Sequence, residues 1–262
     1  MGWGDDIMAT AWARKAKAEN PTARVFIGTE GKRLEWDIVF FGNSNINNPE
    51  DAAKTDRPRV FVPHHTGNRP YIMGTQNGCI VYNPEHRPEK GDIFLAASER
   101  DWALAAIRNV GLEPGEFLLL EPHVKGTFAG NKAWIWDRWQ EVAKRAPAPV
   151  LQIGTGNRPL LPGAKFVKTK TIRHAFAILA QARLLVCTDS AMHHAAAALG
   201  IPAVVIWGAR TNPDILGYPE HRNIWTGTGV GCGAMDQCSH CRDGMRAVTT
   251  DMVVKEIEAA LG

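Results

Sequence analysis

The chain has 262 residues, 45% hydrophobic and 22% charged, with a net charge of +3. Those proportions describe a globular protein with a sizeable core and exclude a disordered or fibrous one. No apolar run reaches the roughly 20 residues that span a bilayer. The chain does not open on a basic stretch followed by an apolar one, so no signal peptide is expected. A cytoplasmic protein is expected, free or peripheral at the inner face of the membrane. Neither half concentrates positive charge, which disfavours nucleic acid as a partner without excluding it.

In chain order, residues 5–19 predict a helix, stopped by Asn20-Pro21. Short apolar runs at 24–28, 37–41 and 59–63 predict buried strands, each bounded by Gly, Pro or Asn. Residues 43–58 and 64–92 are rich in Asn, Pro, Gly and His. They read as long loops, which inside a compact domain are usually functional. A helix follows at 98–110, with Gly111 placed as its C-cap.

Beyond residue 116 the pattern becomes regular. Strands are predicted at 117–120, 150–153, 165–167, 184–187 and 203–207. Helices are predicted at 135–145, 171–181, 191–199 and 250–261, the last capped by Thr249 or Thr250. Strands alternating with helices imply a parallel α/β sheet. The domain boundary falls near 109–116, giving an N-terminal domain (1–110) and a C-terminal domain (111–262), the closing helix being free to pack back on the first.

Residues 184–208 read LLVCTDSAMHHAAAALGIPAVVIWG. A strand runs through Thr188-Asp189-Ser190 straight into an alanine-rich helix. In a parallel sheet, ligands bind beyond the carboxyl ends of strands. The unpaired N–H groups at a helix start carry partial positive charge and suit a diphosphate. Small side chains at Ser190 and Ala191 let it approach. Simple N-capping and tight packing remain the plainer alternative. His193 and His194 are adjacent, so one of them is expected to face the crevice.

This stretch resembles the signature of the heptosyltransferase-like glycosyltransferases, family 9. Their pattern is Asp-(Ser/Thr)-Gly, a His on an alanine-rich helix, a strand ending in Gly, and a Thr-x-Pro turn. Asp189, Ser190, Ala191, His194, Gly208, Thr211 and Pro213 occupy those positions, with Ala191 in place of the usual Gly. The resemblance implies a GT-B fold: two Rossmann-like domains with parallel sheets facing across a cleft, acceptor on the first and donor nucleotide on the second.

Gly2-Trp3-Gly4-Asp5-Asp6 resembles the family's Gly-Asp turn. By that resemblance Asp5 is the general base that deprotonates the acceptor hydroxyl, with Asp6 the alternative. The strand that precedes this turn in the family has no counterpart, so the N-terminal sheet is expected to be smaller or rearranged. Residues 119–139 resemble the element that opens the donor domain, with Lys132 and Trp134 in its Lys-x-Trp. Lys132 is then the group that stabilises the leaving diphosphate. Lys125 is its rival, and Thr127 a further phosphate contact. After Ile153 the family often places an acid that binds the donor ribose, but Gly154-Thr155-Gly156 has none.

The implied activity is transfer of a heptose-like sugar from a nucleoside-diphosphate donor, with inversion and without a catalytic metal. The acceptor is a lipopolysaccharide- or polysaccharide-type glycan. Donor contacts fall to Thr127, Lys132, Asp189, Ser190, Ala191, Met192, His194 and Gly208. Three alternatives stand beside it: a glycosyltransferase acting on nucleic acid, a non-catalytic nucleotide-sugar-binding module, and a GT-B epimerase that hydrolyses or isomerises a nucleotide sugar. Five cysteines are an odd number. Cys232, Cys238 and Cys241 cluster near the C-terminus, where a structural Zn²⁺, a disulfide and free thiols are all open readings.

Overall fold

The structure is a computed structural model that describes residues 2–64, 69–125 and 130–262. It begins with helix α1 (Trp3–Glu19). Strands β1 (Arg24–Ile27) and β2 (Arg59–Val62) then pair in parallel, Arg24 opposite Arg59. Segment 37–41 differs from the expected strand. It forms a 3-10 turn over Ile38–Phe40, because the Asp37 carboxylate accepts the Val39 N–H at 2.9 Å and caps a tight turn.

Residues 64–92 are not all loop. Strands β3 (Ile72–Gln76) and β4 (Cys79–Tyr82) form an antiparallel hairpin. Its turn is Asn77-Gly78, with φ of 49° and 74°. Asn-Gly is the dipeptide that tolerates two consecutive positive φ angles, so the signal was present. Helix α2 (Ala97–Asn109) ends on Gly111, whose φ is 76°.

The second half follows as β5 (Leu118–Glu121), α3 (Trp136–Arg145), β6 (Val150–Gly154), β7 (Lys165–Lys168) and α4 (Ile172–Leu179). Next come β8 (Leu184–Thr188), α5 (Ala191–Leu199), β9 (Ala203–Gly208), α6 (Pro213–Leu216) and β10 (Arg222–Trp225). Helices α7 (Ser239–Ala247) and α8 (Thr250–Leu261) close the chain. The six strands are all parallel, in the order β10-β9-β8-β5-β6-β7.

Alternation along β5 sends Leu119 to one face of the sheet and Leu118 and Leu120 to the other. Leu118 and Leu120 pack with Trp139, Val142, Val253 and Ile257 under α3, α7 and α8. Helix α8 therefore packs on the C-terminal sheet, against β8, β9, β10 and α3, and not back on the N-terminal half. Leu119 packs with Leu185, Val205, Phe176 and Ala195, and the same cluster takes in Ile7, Val25, Phe40 and Ile107. One apolar core thus joins the two halves, with α1 against α5 and α2 against α4. The N-terminal half contributes a two-stranded parallel sheet, and the C-terminal half a six-stranded one.

Arg173, buried in α4, pins the junction. Its guanidinium meets both Glu99 oxygens at 2.5 and 2.7 Å and donates to the carbonyls of Phe94 and Ile38. A forked cation satisfied on several sides holds geometry better than apolar contact alone.

Candidate active site

From β5 the chain first builds outward through β6 and β7. It then returns to the other side of β5 with β8. The β5/β8 junction is where strand order reverses, and a crevice opens beyond the carboxyl ends of such strands. Glu121 ends β5, and Thr188 runs through Asp189 and Ser190 into α5. A cavity of about 540 Å³ lies there. Its walls include Glu121, Gln152, Ile153, Thr169, Ile172 and Met192, closed from the N-terminal half by Trp3 and Ile38.

Buried Gln152 shapes one wall. Its Oε1 accepts the Leu161 N–H at 2.8 Å and its Nε2 donates to the Pro159 carbonyl at 3.0 Å, which folds loop 154–161 over the cavity. Ser190 caps α5: its Oγ accepts the Met192 N–H at 3.2 Å and donates to Glu121 Oε2 at 2.6 Å. Burial pushes the Glu121 carboxyl up to about 7, against the lowering effect of the Ser190 bond.

Beside this cavity sits a charged cluster. Lys132, on a short 3-10 turn, places Nζ 2.5 Å from Asp189 Oδ2. Burial pulls the Lys132 ammonium below its usual range, outweighing the attraction of Asp189. Burial alone would raise Asp189, but Lys132 and then His193 and Arg210 hold it below the usual carboxylate range. Arg210, buried at the end of β9, donates from Nε to the Ala234 carbonyl at 3.0 Å. The Asp5 charge raises the Lys132 ammonium slightly, after burial, Asp189 and Arg210. Tyr71 OH donates to Asp5 Oδ1, and Arg69 Nη2 lies 3.1 Å from Asp5 Oδ2. Asp6 is buried and bound to His64 Nε2 at 2.7 Å.

The starts of α1 and α5 touch. A Cβ on Gly4 would lie 3.5 Å from the Ala191 Cα. Trp3 lines the cavity, whereas Asp5, about 200° further round the helix, joins the charged cluster. A largely apolar cavity and a charged cluster therefore flank the point where two helix starts converge.

Among the expected donor contacts, Met192 lines the cavity and Ser190 bonds its wall. Asp189 is turned to Lys132. Neither histidine faces the crevice, contrary to expectation. His193 and His194 are 0% and 4% exposed, their rings packed together with centroids 3.8 Å apart and planes tilted by 38°. His193 Nδ1 accepts the Ser190 N–H, which fixes it as a capping residue, and His194 Nδ1 pairs with Tyr218 OH at 2.9 Å. Adjacent helix positions can both be buried here because α1 and α6 cover two sides of α5. Gly208 is buried behind the site, with φ of 61° and the Met245 side chain where a Cβ would be. Trp134 is a packing residue whose Nε1 donates to the Val248 carbonyl at 3.0 Å. Thr127 lies outside the described residues.

Cys232 Sγ lies 3.1 Å from Cys241 Sγ and 3.9 Å from Cys238 Sγ, and the Cys241 N–H points at Cys238 Sγ. The triad does not line the cavity. Three thiols this close fit three corners of a tetrahedral thiolate site.

An α/β chain with a donor-type crevice at the switch point of one parallel sheet, and a second half closing over it, has the architecture of a GT-B glycosyltransferase. Residues 167–245, under a third of the chain, match the model of glycosyltransferase family 9 (heptosyltransferase). The fold is shared with a family 9 glycosyl transferase from Veillonella parvula DSM 2008, at 15% identity and a TM-score of 0.71 over 100% of this chain and 94% of that one. It is also shared with TibC, an iron-containing dodecameric glycosyltransferase from enterotoxigenic E. coli H10407, at 14% identity and a TM-score of 0.64, over 99% of this chain and 74% of that one. The E. coli ADP-heptose lps heptosyltransferase II aligns over 65% of this chain but only 53% of its own length, at 20% identity and a TM-score of 0.48. No curated protein matches the sequence. Among the described residues no helix is long and apolar enough to cross a membrane.

Proposed function

We propose that the chain transfers a heptose-like sugar from a nucleoside-diphosphate donor to a hydroxyl of a lipopolysaccharide- or polysaccharide-type glycan, with inversion, on the cytoplasmic side. The observation that carries this reading is the Lys132–Asp189 pair at the start of α5, with Asp5 on the adjoining start of α1. A helix start and a buried lysine favour a diphosphate, and a carboxylate beside them can take a proton.

In this mechanism the nucleoside occupies the cavity, and the diphosphate lies against Ser190–Met192 and Lys132. The acceptor oxygen attacks the anomeric carbon as Asp5 takes its proton. The carbon–oxygen bond to the diphosphate breaks on the opposite face, and the departing oxygen keeps the electron pair. Lys132 neutralises the charge that develops there, with Arg210 adding to the field, so the protein itself supplies the positive charge. Arg69 and Tyr71 hold the Asp5 carboxylate in place.

The test is Asp5→Asn. Turnover of nucleotide sugar should fall by about 10²- to 10⁴-fold with nucleoside-diphosphate affinity kept. Unchanged turnover removes Asp5 as the base. An absence of turnover in the wild type, with nucleotide bound, favours the binding-module reading.

A further inference from the structure

Charge is unevenly spread along the C-terminal half. Residues 142–188 hold eight basic side chains and no acidic one. Three of the eight are engaged within the fold: Arg145 by Asp251, Arg173 by Glu99 and Arg183 by the Leu261 carbonyl. Arg158, Lys168 and Lys170 are exposed, and among the described residues none of them meets a carboxylate. Lysine on an edge strand is a common guard against sheet-to-sheet pairing, and β7 is an outer strand. That accounts for Lys168 but not for Arg158 and Lys170, which lie off the strand and line the cavity.

The opposite lip of the same cavity is apolar. Trp3 and Ile38 line it from the N-terminal half and Leu160 from the loop after β6, and all three are exposed. From Ile38 the apolar surface continues. The Trp36 and Phe41 rings lie 6.4 Å apart, and a Cβ on Gly42 would stand 3.1 Å from the Phe94 Cβ. Phe41 is 57% exposed. The Arg173 guanidinium donates to the carbonyls of Ile38, Phe41 and Phe94 and so fixes this surface in one arrangement. The carboxylates set among these residues are engaged, Asp37 by the Val39 N–H and Glu99 by Arg173.

Large apolar side chains exposed together on one face mark an interaction surface. Aromatic rings beside unpaired cations suit a bilayer: the rings sit at headgroup level while lysine and arginine meet anionic lipid. A nucleic acid would reward the cations but leave Ile38 and Leu160 in water. We propose that the face around the cavity mouth docks on an anionic phospholipid surface, with Arg158, Lys168 and Lys170 against the headgroups and Trp36, Phe41 and Phe94 inserted between them. The inference goes beyond the transfer reading and does not depend on it. If both hold, docking brings the site to an acceptor carried on lipid.

The experiment is cosedimentation of the full chain with vesicles of phosphatidylcholine alone and of phosphatidylcholine with about one-third phosphatidylglycerol, at two salt concentrations. The wild type should bind the anionic vesicles at least about tenfold more tightly than the neutral ones, and less tightly as salt rises. Lys168→Gln/Lys170→Gln should weaken that binding by about tenfold or more, since each cation near the surface contributes roughly fivefold. Phe41→Ser should weaken it by about threefold or more. Should Phe41→Ser not fold, Leu160→Ser takes its place with the same expectation. No preference for anionic vesicles, or binding that neither variant weakens, overturns the proposal. So does binding that falls with the lysines but not with the apolar variant, the behaviour of a cationic patch that adsorbs without inserting. Tighter binding to a single-stranded oligonucleotide than to the vesicles assigns the face to nucleic acid and overturns it too, and a dimer in solution that Phe41→Ser dissociates assigns it to a second copy. Each of these results leaves the transfer reading standing.

Discussion

Gly4, in the first turn of α1, lies so close to His194 in the first turn of α5 that a Cβ on Gly4 would sit 2.8 Å from the His194 Cδ2. The ring cannot retreat: it packs against the His193 ring and is bonded to Tyr218. The absence of a side chain at residue 4 is thus what lets the two halves close at the site. Gly4→Val should force the helix starts apart and lower stability by about 2 kcal/mol or more, the usual cost of overpacking. Urea denaturation measures this. A variant as stable as the wild type would mean that the contact is not held in solution.

The buried histidines give the protein an acid limit. Burial lowers His221 to about 4, and His193 and the Lys132 charge add to it for His194, which burial alone already holds well below its ordinary value. These rings fold in their neutral form, whereas in the unfolded chain they protonate near 6.5. Their contribution is therefore fully present above about pH 6.5 and is lost as pH falls toward the folded values. For His221 alone the loss between pH 6.5 and 4 is on the order of 3 kcal/mol. His221→Phe should flatten the fall of Tm across that range. An equally steep fall in the variant would place the acid sensitivity elsewhere.

Much of the fold was legible from the chain because its second half alternates cleanly. Residues 184–208 announce strand, cap, helix and strand by apolar runs broken at Thr188-Asp189-Ser190 and Gly200-Ile201-Pro202, and the structure keeps them as β8, α5 and β9. Ser190 was legible as a cap for the same reason. The first half misled where local polar chemistry overrode apolar content. Asp37 turned an apolar run into a 3-10 helix, and Asn77-Gly78 made a hairpin within a stretch dominated by loop residues. Arg210 and Glu121 were findable, since each lies at the carboxyl end of a predicted strand. Arg69 and Tyr71 were not: they reach Asp5 across more than 60 residues of chain, and no local pattern encodes that contact.

The thiol triad makes a separate prediction. Three sulfurs within reach of one another, with a backbone N–H directed at Cys238 Sγ, favour a thiophilic metal ion such as Zn²⁺ over isolated thiols. Protein purified under reducing conditions should carry about one metal ion per chain by elemental analysis. Stripping it with a chelator should lower Tm by about 5 °C or more, because a site that forms only in the folded state adds its binding energy to folding. Cys238→Ser should abolish both metal and shift. A protein without metal whose mass shows two hydrogens missing would instead establish a disulfide, with peptide mapping expected to assign it to Cys232 and Cys241.

Lys132 carries two burdens that one substitution cannot separate. Lys132→Met leaves Asp189, 5% exposed, as a buried carboxylate without its cation, a change that typically costs about 3–5 kcal/mol. Loss of nucleotide binding in that variant would therefore show only that the site had collapsed. The double variant Lys132→Met/Asp189→Asn removes the stranded charge, and most of the lost stability should return. If the lysine serves only to neutralise Asp189, nucleotide affinity returns with it. If the ammonium also holds the diphosphate, affinity for a nucleoside diphosphate stays at least about tenfold down, while affinity for the bare nucleoside is unchanged, because the charged cluster meets only the phosphates. Titration of the wild type and both variants with the two ligands distinguishes these outcomes, and a full return of diphosphate affinity in the double variant would remove Lys132 from the transfer step.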